Sequence, residues 1–561
     1  MNIQEKKLFL ASFLIFVCSS LFLVGAYLFA NRVELPAVGG DNTEALIGSP
    51  RLINPLYAST NDADADLSAL IFSGLMQWDP AQGYITDLAE SIEVSEDRLQ
   101  YIFHIKPQAK FSNGEPVQAR DVVFTFSAIQ DPAYRSPLAS DFTGIKIEQA
   151  DDRTVLFALK TPDPTFLQKL TVGILPENLW SDILAQNAPL ASLNLQPIGS
   201  GPYAFQEFTK DKKGSIRTYT LKRNTHFYGT EPKIEKFIFK FYPDESSAVQ
   251  ALANKNVEGI GFIAFEHLES VENNHGVNLI YSPMPRAAVL YFNQQNPHLK
   301  SAAFRLAIAQ AIDKQKILSR IFASRATVLH GPLFSGTSAF DAAFTGVGFD
   351  PAAAATALDT AGYTKPTGST LRTIPTKATT KSTEAEPVAP AVLTLNLVTV
   401  ASNEFIRVAE EIKEELGLLG IEITIQTVEP DHLAAEIITP QSFDLLLTAN
   451  YGAETPDPYV FWHSSQIMKG GYNVARYQSS EADKILEKMR AAKTPEEQDT
   501  LSRQFQTLLV KDLPAVFLYQ STYAFAEPKK IRLTPPSFIR IPSDRFANVE
   551  DWYIKTKQTL K

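Results

Sequence analysis

Strand-forming runs alternate with helix-forming repeats along most of this chain, and that alternation restricts its fold more than any other feature. Residues 154–159 (TVLFAL), 236–241 (KFIFKF), 393–400 (LTLNLVTV), 421–428 (IEITIQTV) and 443–448 (FDLLLT) are rich in β-branched and aromatic residues, the composition of strands. Between them, residues 301–321 (SAAFRLAIAQAIDKQKILSRI) place Phe304, Ile308, Ala311 and Ile312 on one helical face, with Ser301 positioned to cap the start. Residues 408–419, 481–492 and 495–510 repeat the helical pattern. Such alternation predicts α/β lobes and not a β-sandwich. At 561 residues the chain holds about three or four domain-sized units.

The N-terminus is of a different kind. Residues 8–30 carry no charge, follow Lys6 and Lys7, and are long enough at about 1.5 Å per residue to cross a ~30 Å hydrocarbon core. A cleavable signal peptide is the alternative, with a weak small-x-small site at residues 24–26. Cys18 follows Ile15, Phe16 and Val17, so the small residue that precedes a lipidated cysteine is missing. The expectation is an uncleaved single-pass anchor in the cell membrane, its lysines cytoplasmic and the body from residue 40 onward extracytoplasmic.

Several classes of chemistry are excluded or unsupported. Cys18 is the single cysteine, so there is no intrachain disulfide and no Cys-rich zinc site. The 8 histidines are scattered, and none forms a metal-ligand pair at helical spacing. No metal, cofactor or catalytic residue is expected. With a net charge of −10 and no basic stripe, the chain is a poor partner for nucleic acid. Residues 364–390 are dominated by Thr, Ser and Pro and contain only Leu371, Ile374 and Val388 as larger aliphatics. They read as a disordered Thr/Pro-rich insertion.

Three short stretches carry further information. Residues 111–126 (FSNGEPVQARDVVFTF) read as a strand end, an Asn-Gly turn and a helix; residues 199–203 (GSGPY) as a turn into an antiparallel ribbon; residues 290–297 (LYFNQQNP) as a strand entering a turn. With Asn54-Pro55, the FSGL of residues 72–75, the LAES of 88–91, the series Asn293, Arg305, Ala307 and Ala311 to Asp313, then Asp457-Pro458, Asn473, Tyr477, Asp483 and Leu513-Pro514, they form an ordered set. This set resembles the family 5 extracellular solute-binding proteins, the peptide, dipeptide and nickel binders of ABC importers. The chain departs from the family at Arg120, where Glu is usual, and in the Thr-rich insertion.

The resemblance implies a two-lobed periplasmic-binding-protein-like fold of the cluster C type, with lobes joined by two crossing strands. It implies a discontinuous first lobe at 41–282 plus 515–555, with 83–197 as an appended subdomain, and a second lobe at 283–514. Residues 1–40 would then be stub, anchor and linker. Hinges are expected near 282–286 and 514–519. The implied function is capture of an oligopeptide or dipeptide for an ABC permease and ATPase, by a monomer that is not an enzyme. An anchored extracellular hydrolase and a ligand sensor without a transporter remain as alternatives.

In dipeptide-binding relatives an acid three positions before the Asp-Pro pairs with the peptide ammonium; here that position is Glu454. Asp457 is expected to fix the turn, and Trp462, Tyr291 and Tyr519 to line the cleft. Arg286, Arg407 and Arg476 are candidate partners for a ligand carboxylate.

Overall fold

The computed structural model describes residues 3–30, 32–323, 325–375, 391–451, 457–468 and 471–560. Two long antiparallel strands, Val277–Phe292 and Ala515–Pro528, run through the middle of an 11-stranded sheet among the described residues. Residues 277–283 pair with 522–528, and the sheet continues on that side through Gly259–Ile260, Asp41–Ile47, Lys236–Tyr242, Ile216–Arg223 and Tyr203–Lys210. Residues 287–291 pair with 515–520, and there the sheet continues through Leu445–Tyr451, Thr394–Val400 and Glu422–Val428. Two α/β lobes therefore share one pair of strands, as the sequence implied.

Successive side chains of a strand point to opposite faces, and the second lobe buries both. Ala288, Leu290 and Phe292 join a core with the helices Ala302–Ala311 and Asn403–Leu419, while Ala287, Val289 and Tyr291 join one with Ser480–Ala491 and Pro495–Asp512. A strand covered on both faces explains why Leu445, Leu446 and Leu447 are consecutive apolar residues, all fully buried. Attached to the first lobe is a four-stranded antiparallel sheet, Ala89–Val94, Gln100–Ile105, Thr154–Ala158 and Lys146–Asp151. The helix Ala119–Gln130 packs on it, burying Phe126 against Phe142 and Phe157.

Family landmarks turn out to be packing devices. The buried Arg305 guanidinium donates to the carbonyls of Leu513 at 2.8 Å, Asp512 at 2.7 Å and Leu299 at 2.8 Å, closing the end of the helix Pro495–Asp512. Asn473 Nδ2 donates to Tyr477 O at 2.9 Å, and the Tyr477 backbone N–H returns a bond to Asn473 Oδ1 at 2.9 Å. Gly199 and Gly201 are needed for close approach, since a Cβ on either would lie 2.2 Å and 2.7 Å from the Ile71 and Leu70 carbonyl oxygens respectively. Neither has a positive φ, so the expected sharp-turn role is replaced by tight packing.

Two expectations need correction, and two further points concern the N-terminal segment. Residues 301–321 are not one helix: Asp313 accepts from the Lys316 backbone N–H at 3.0 Å and starts a second, Lys314–Phe322. An N-cap side chain outcompetes helix continuation there. After the N-terminal helix, Arg32–Ala37 pairs antiparallel, in register, with the C-terminal strand Lys555–Leu560. The Thr/Pro-rich segment is not wholly disordered. Arg372 is buried, donating to the Leu419 carbonyl at 2.8 Å and pairing with Asp359, and Ile374 N–H donates to Ala391 O at 2.8 Å. Its residues 376–390 lie outside the described residues. The helix Ile3–Ala30 covers the charge-free run; among the described residues no helix is long and apolar enough to cross a membrane.

Candidate functional site

The crossing strands lose register midway. Pro283 pairs with Thr522 and the next pair is Ala287 with Gln520, so residues 284–286 stand opposite Ser521 alone. Such a bulge bends the strand and leaves backbone groups unpaired. The first break falls where a hinge was expected, near 282–286. On the second strand the irregularities sit at Ser521 and Leu518, later than much of the 514–519 stretch expected.

Beside the bulge lies a cavity of about 250 Å³ walled from both lobes. The first lobe contributes Phe262, Phe265 and Leu268; the second contributes Phe322, Arg325 and Glu404; Met284 and Arg286 come from the bulge itself. Phe262 is exposed, which for a large aromatic marks a surface awaiting contact. Charge is held in place on both walls. Arg286 Nη1 donates to Glu404 Oε2 at 3.2 Å, and its guanidinium sits 5.5 Å from the Phe405 ring centre. Arg325 forms a fork on Glu272, with Nε and Nη2 donating at 3.1 Å and 2.7 Å, and the Tyr281 hydroxyl donates to the same carboxylate at 2.8 Å.

The residues singled out from the sequence fare differently. Tyr519 is fully buried; its hydroxyl donates to Glu404 Oε1 at 2.8 Å, and burial with that neighbouring carboxylate holds the phenol well above its ordinary range. It supports the cavity from beneath and does not line it. Tyr291 and Trp462 stack in the second-lobe core, ring centres 5.9 Å apart, with Phe517 against the indole. Both were expected in the cleft, and packing claims them because residue 291 falls on the strand face that the later helices cover.

Asp457 accepts from the Tyr459 backbone N–H at 3.1 Å and from Arg490 Nε at 2.8 Å, consistent with fixing its turn. Glu454 lies outside the described residues. Arg286 is at the cavity, Arg407 lies 5.4 Å from the Phe265 ring centre on the adjoining surface, and Arg476 is not among the cavity residues. Glu404, Arg325 and Phe262 escaped the sequence reading. They are far apart in the chain and share no spacing, so only the tertiary fold brings them together. Among the described residues no group of three or more His, Cys, Asp or Glu is placed to hold a metal ion.

The model of the family described as bacterial extracellular solute-binding proteins, family 5, middle region, matches residues 83–473. The oligopeptide-binding protein AppA of Bacillus subtilis is 27% identical over 538 residues, covering 92% of each chain. The structure of AppA with a bound nonapeptide superimposes with a TM-score of 0.67 at 25% identity, covering 93% of this chain and 100% of that one. The substrate-binding protein CtaP of Listeria monocytogenes shares the fold with a TM-score of 0.75 at 24% identity, covering 92% of this chain and 99% of that one.

Proposed function

The chain belongs to the family 5 bacterial extracellular solute-binding proteins, and from that premise we propose that it is the extracytoplasmic binding component of an ABC importer, capturing peptides between two hinged lobes and delivering them to a permease. The observation that carries this reading is the cavity walled by both lobes at the level where the crossing strands lose register. A ligand touching both walls favours the closed arrangement by its differential affinity for it. The family is one of binding proteins and not of enzymes.

In this reading the first lobe is residues 41–282 with 515–555, including the subdomain 83–197, and the second is 283–514. Residues 8–30 hold the protein in the membrane as one uncleaved span, supported by their lack of charge and by Lys6 and Lys7 before them. The protein acts as a monomer. Glu454 meets the peptide ammonium, since a buried cation without a counter-charge is strongly unfavourable. Asp457 fixes the foot of that segment, while Tyr519, Tyr291 and Trp462 act as its support.

Native mass spectrometry of the soluble body, followed by calorimetry with the peptides it retains, tests the reading. Peptides should bind and be recovered intact, and scattering should show compaction. Cleaved peptide, or binding with no change in radius of gyration, would count against it. For Glu454, a cycle of Glu454→Gln against N-acetylation should show the variant weakening a free peptide by about two to four decades and an acetylated one hardly at all. Equal effects on both would remove Glu454 from the site.

A further inference from the structure

Phe265 packs against the cores of both lobes. It begins the segment 265–272, whose Leu268 and Val271 are buried in the first lobe with Ile260, Val277 and Ala526. The half-buried Phe265 ring touches that core and reaches the second lobe, where it meets Phe322 edge to face with ring centres 5.2 Å apart. Arg407 approaches the same ring, its guanidinium 5.4 Å from the centre, and donates to the Arg320 carbonyl at 3.5 Å. Phe322 lies 4.6 Å from the Tyr519 ring, so a crossing strand backs this seat.

The far end of the segment makes a contact of another kind. Glu272 takes the two-pronged Arg325 fork, and the Tyr281 hydroxyl holds the carboxylate from the first-lobe side. Arg325 is fixed in turn, because its carbonyl accepts from Thr522 Oγ1 at 2.7 Å. The side chains of Glu272 and Arg325 are 37% and 27% exposed, so solvent screens the pair less than one on open surface.

An edge-to-face ring pair sets a distance, and a planar guanidinium fork sets a direction. Placed at the two ends of one short segment, they fix the first lobe against the second in both. The crossing strands do not do this alone, since residues 284–286 stand opposite Ser521 and a bulged strand bends. Glu272 and Arg407 do not line the hinge cavity, whereas Phe265, Phe322 and Arg325 do. Any effect of Glu272 or Arg407 on a ligand there therefore passes through the position of the walls.

We propose that residues 265–272 form a clasp between the lobes, and that Glu272 and Arg407 are positioning residues that hold the binding-competent arrangement before a ligand arrives. Apparent affinity falls in proportion to the fraction of protein in that arrangement, so the clasp sets affinity as well as shape. Its effect on affinity rests on the peptide-binding reading above; the clasp itself does not.

Spin-label distance measurement on the ligand-free full chain tests it, with Cys18→Ser and nitroxides at Lys213→Cys in the first lobe and Asp431→Cys in the second, both exposed positions. The wild type should give one narrow distance distribution. The Glu272→Gln, Arg407→Gln double variant should broaden it, and Glu272→Gln alone serves if the pair does not fold. Exchanging the charges, Glu272→Arg with Arg325→Glu, should narrow the distribution again relative to Glu272→Arg alone, a recovery that general loss of stability would not produce. Calorimetry with the tightest peptide recovered from the wild type should show the double variant binding about tenfold more weakly. An unchanged distance distribution in the Gln variants would overturn the clasp. A broadened distribution with unchanged peptide affinity would overturn its positioning role. If the wild type binds no peptide, the peptide reading fails, while the distances still decide whether the clasp exists.

Discussion

The Tyr519 hydroxyl donates to Glu404 at 2.8 Å, joining a crossing strand to the first turn of the helix Asn403–Leu419 directly beneath the hinge cavity. Glu404 uses its other oxygen for Arg286 at 3.2 Å, so one carboxylate ties both crossing strands to the second lobe. Removing a partly buried charged acceptor of this kind typically costs about 1–3 kcal/mol. Glu404→Ala should lower the melting temperature, and Glu404→Gln should recover part of the loss, because an amide still accepts from Tyr519. Thermal melts of the two variants check this; an unchanged melting temperature in Glu404→Ala would mean the carboxylate contributes nothing.

Arg545 is a stronger case. It is fully buried and donates to Glu44 and Asp66, whose side chains are 0% and 5% exposed. Deleting the cation leaves two carboxylates in the interior, and breaking a buried pair costs about 3–5 kcal/mol. Arg545→Ala should unfold the first lobe at much lower denaturant concentration, and Arg545→Lys should not restore it, since an ammonium cannot make two forked contacts. Urea titration followed by Trp fluorescence reads the outcome.

Stability should fall as pH rises through neutrality. Burial pushes Asp87 up to about 6, against the opposing hydrogen bond from Tyr228, and burial pushes Glu550 up to about 7. Both groups bind their proton more tightly folded than unfolded. Their contribution is therefore complete at low pH and is lost as pH rises through about 6 and about 7, on the order of 3 kcal/mol each. Between about pH 5 and about pH 8 the melting temperature should drop, and an Asp87→Asn, Glu550→Gln double variant should show a smaller drop. Equal slopes in both proteins would exclude these two groups as the source.

The Thr/Pro-rich segment should divide into a dispensable and an indispensable part. Residues 374 and 391 are hydrogen-bonded neighbours, so a short Gly-Ser linker in place of 376–390 closes without strain. That replacement should leave the melting temperature nearly unchanged. Arg372→Ala, which strips donors from the carbonyls of Leu419 and Tyr363, should lower it by the equivalent of a few kcal/mol.

The alternation of strand and helix, the turn chemistry and the ordered landmarks from Asn54-Pro55 to Leu513-Pro514 determined the family and its α/β lobes, because they are local properties that survive in one dimension. Arg305 and Asn473 were visible as pattern members, yet their work as clamps on distant carbonyls, across 208 residues from Arg305 to Leu513, became visible only in the fold. The cavity was not legible at all. Glu404, Arg325 and Phe262 meet because two strands of opposite direction cross between lobes, and nothing in their local sequence records that meeting. Tyr291 and Trp462 show the converse. Their chemistry suited a cleft, but which face of a strand becomes core is decided by which helices return to cover it, and that choice belongs to tertiary structure.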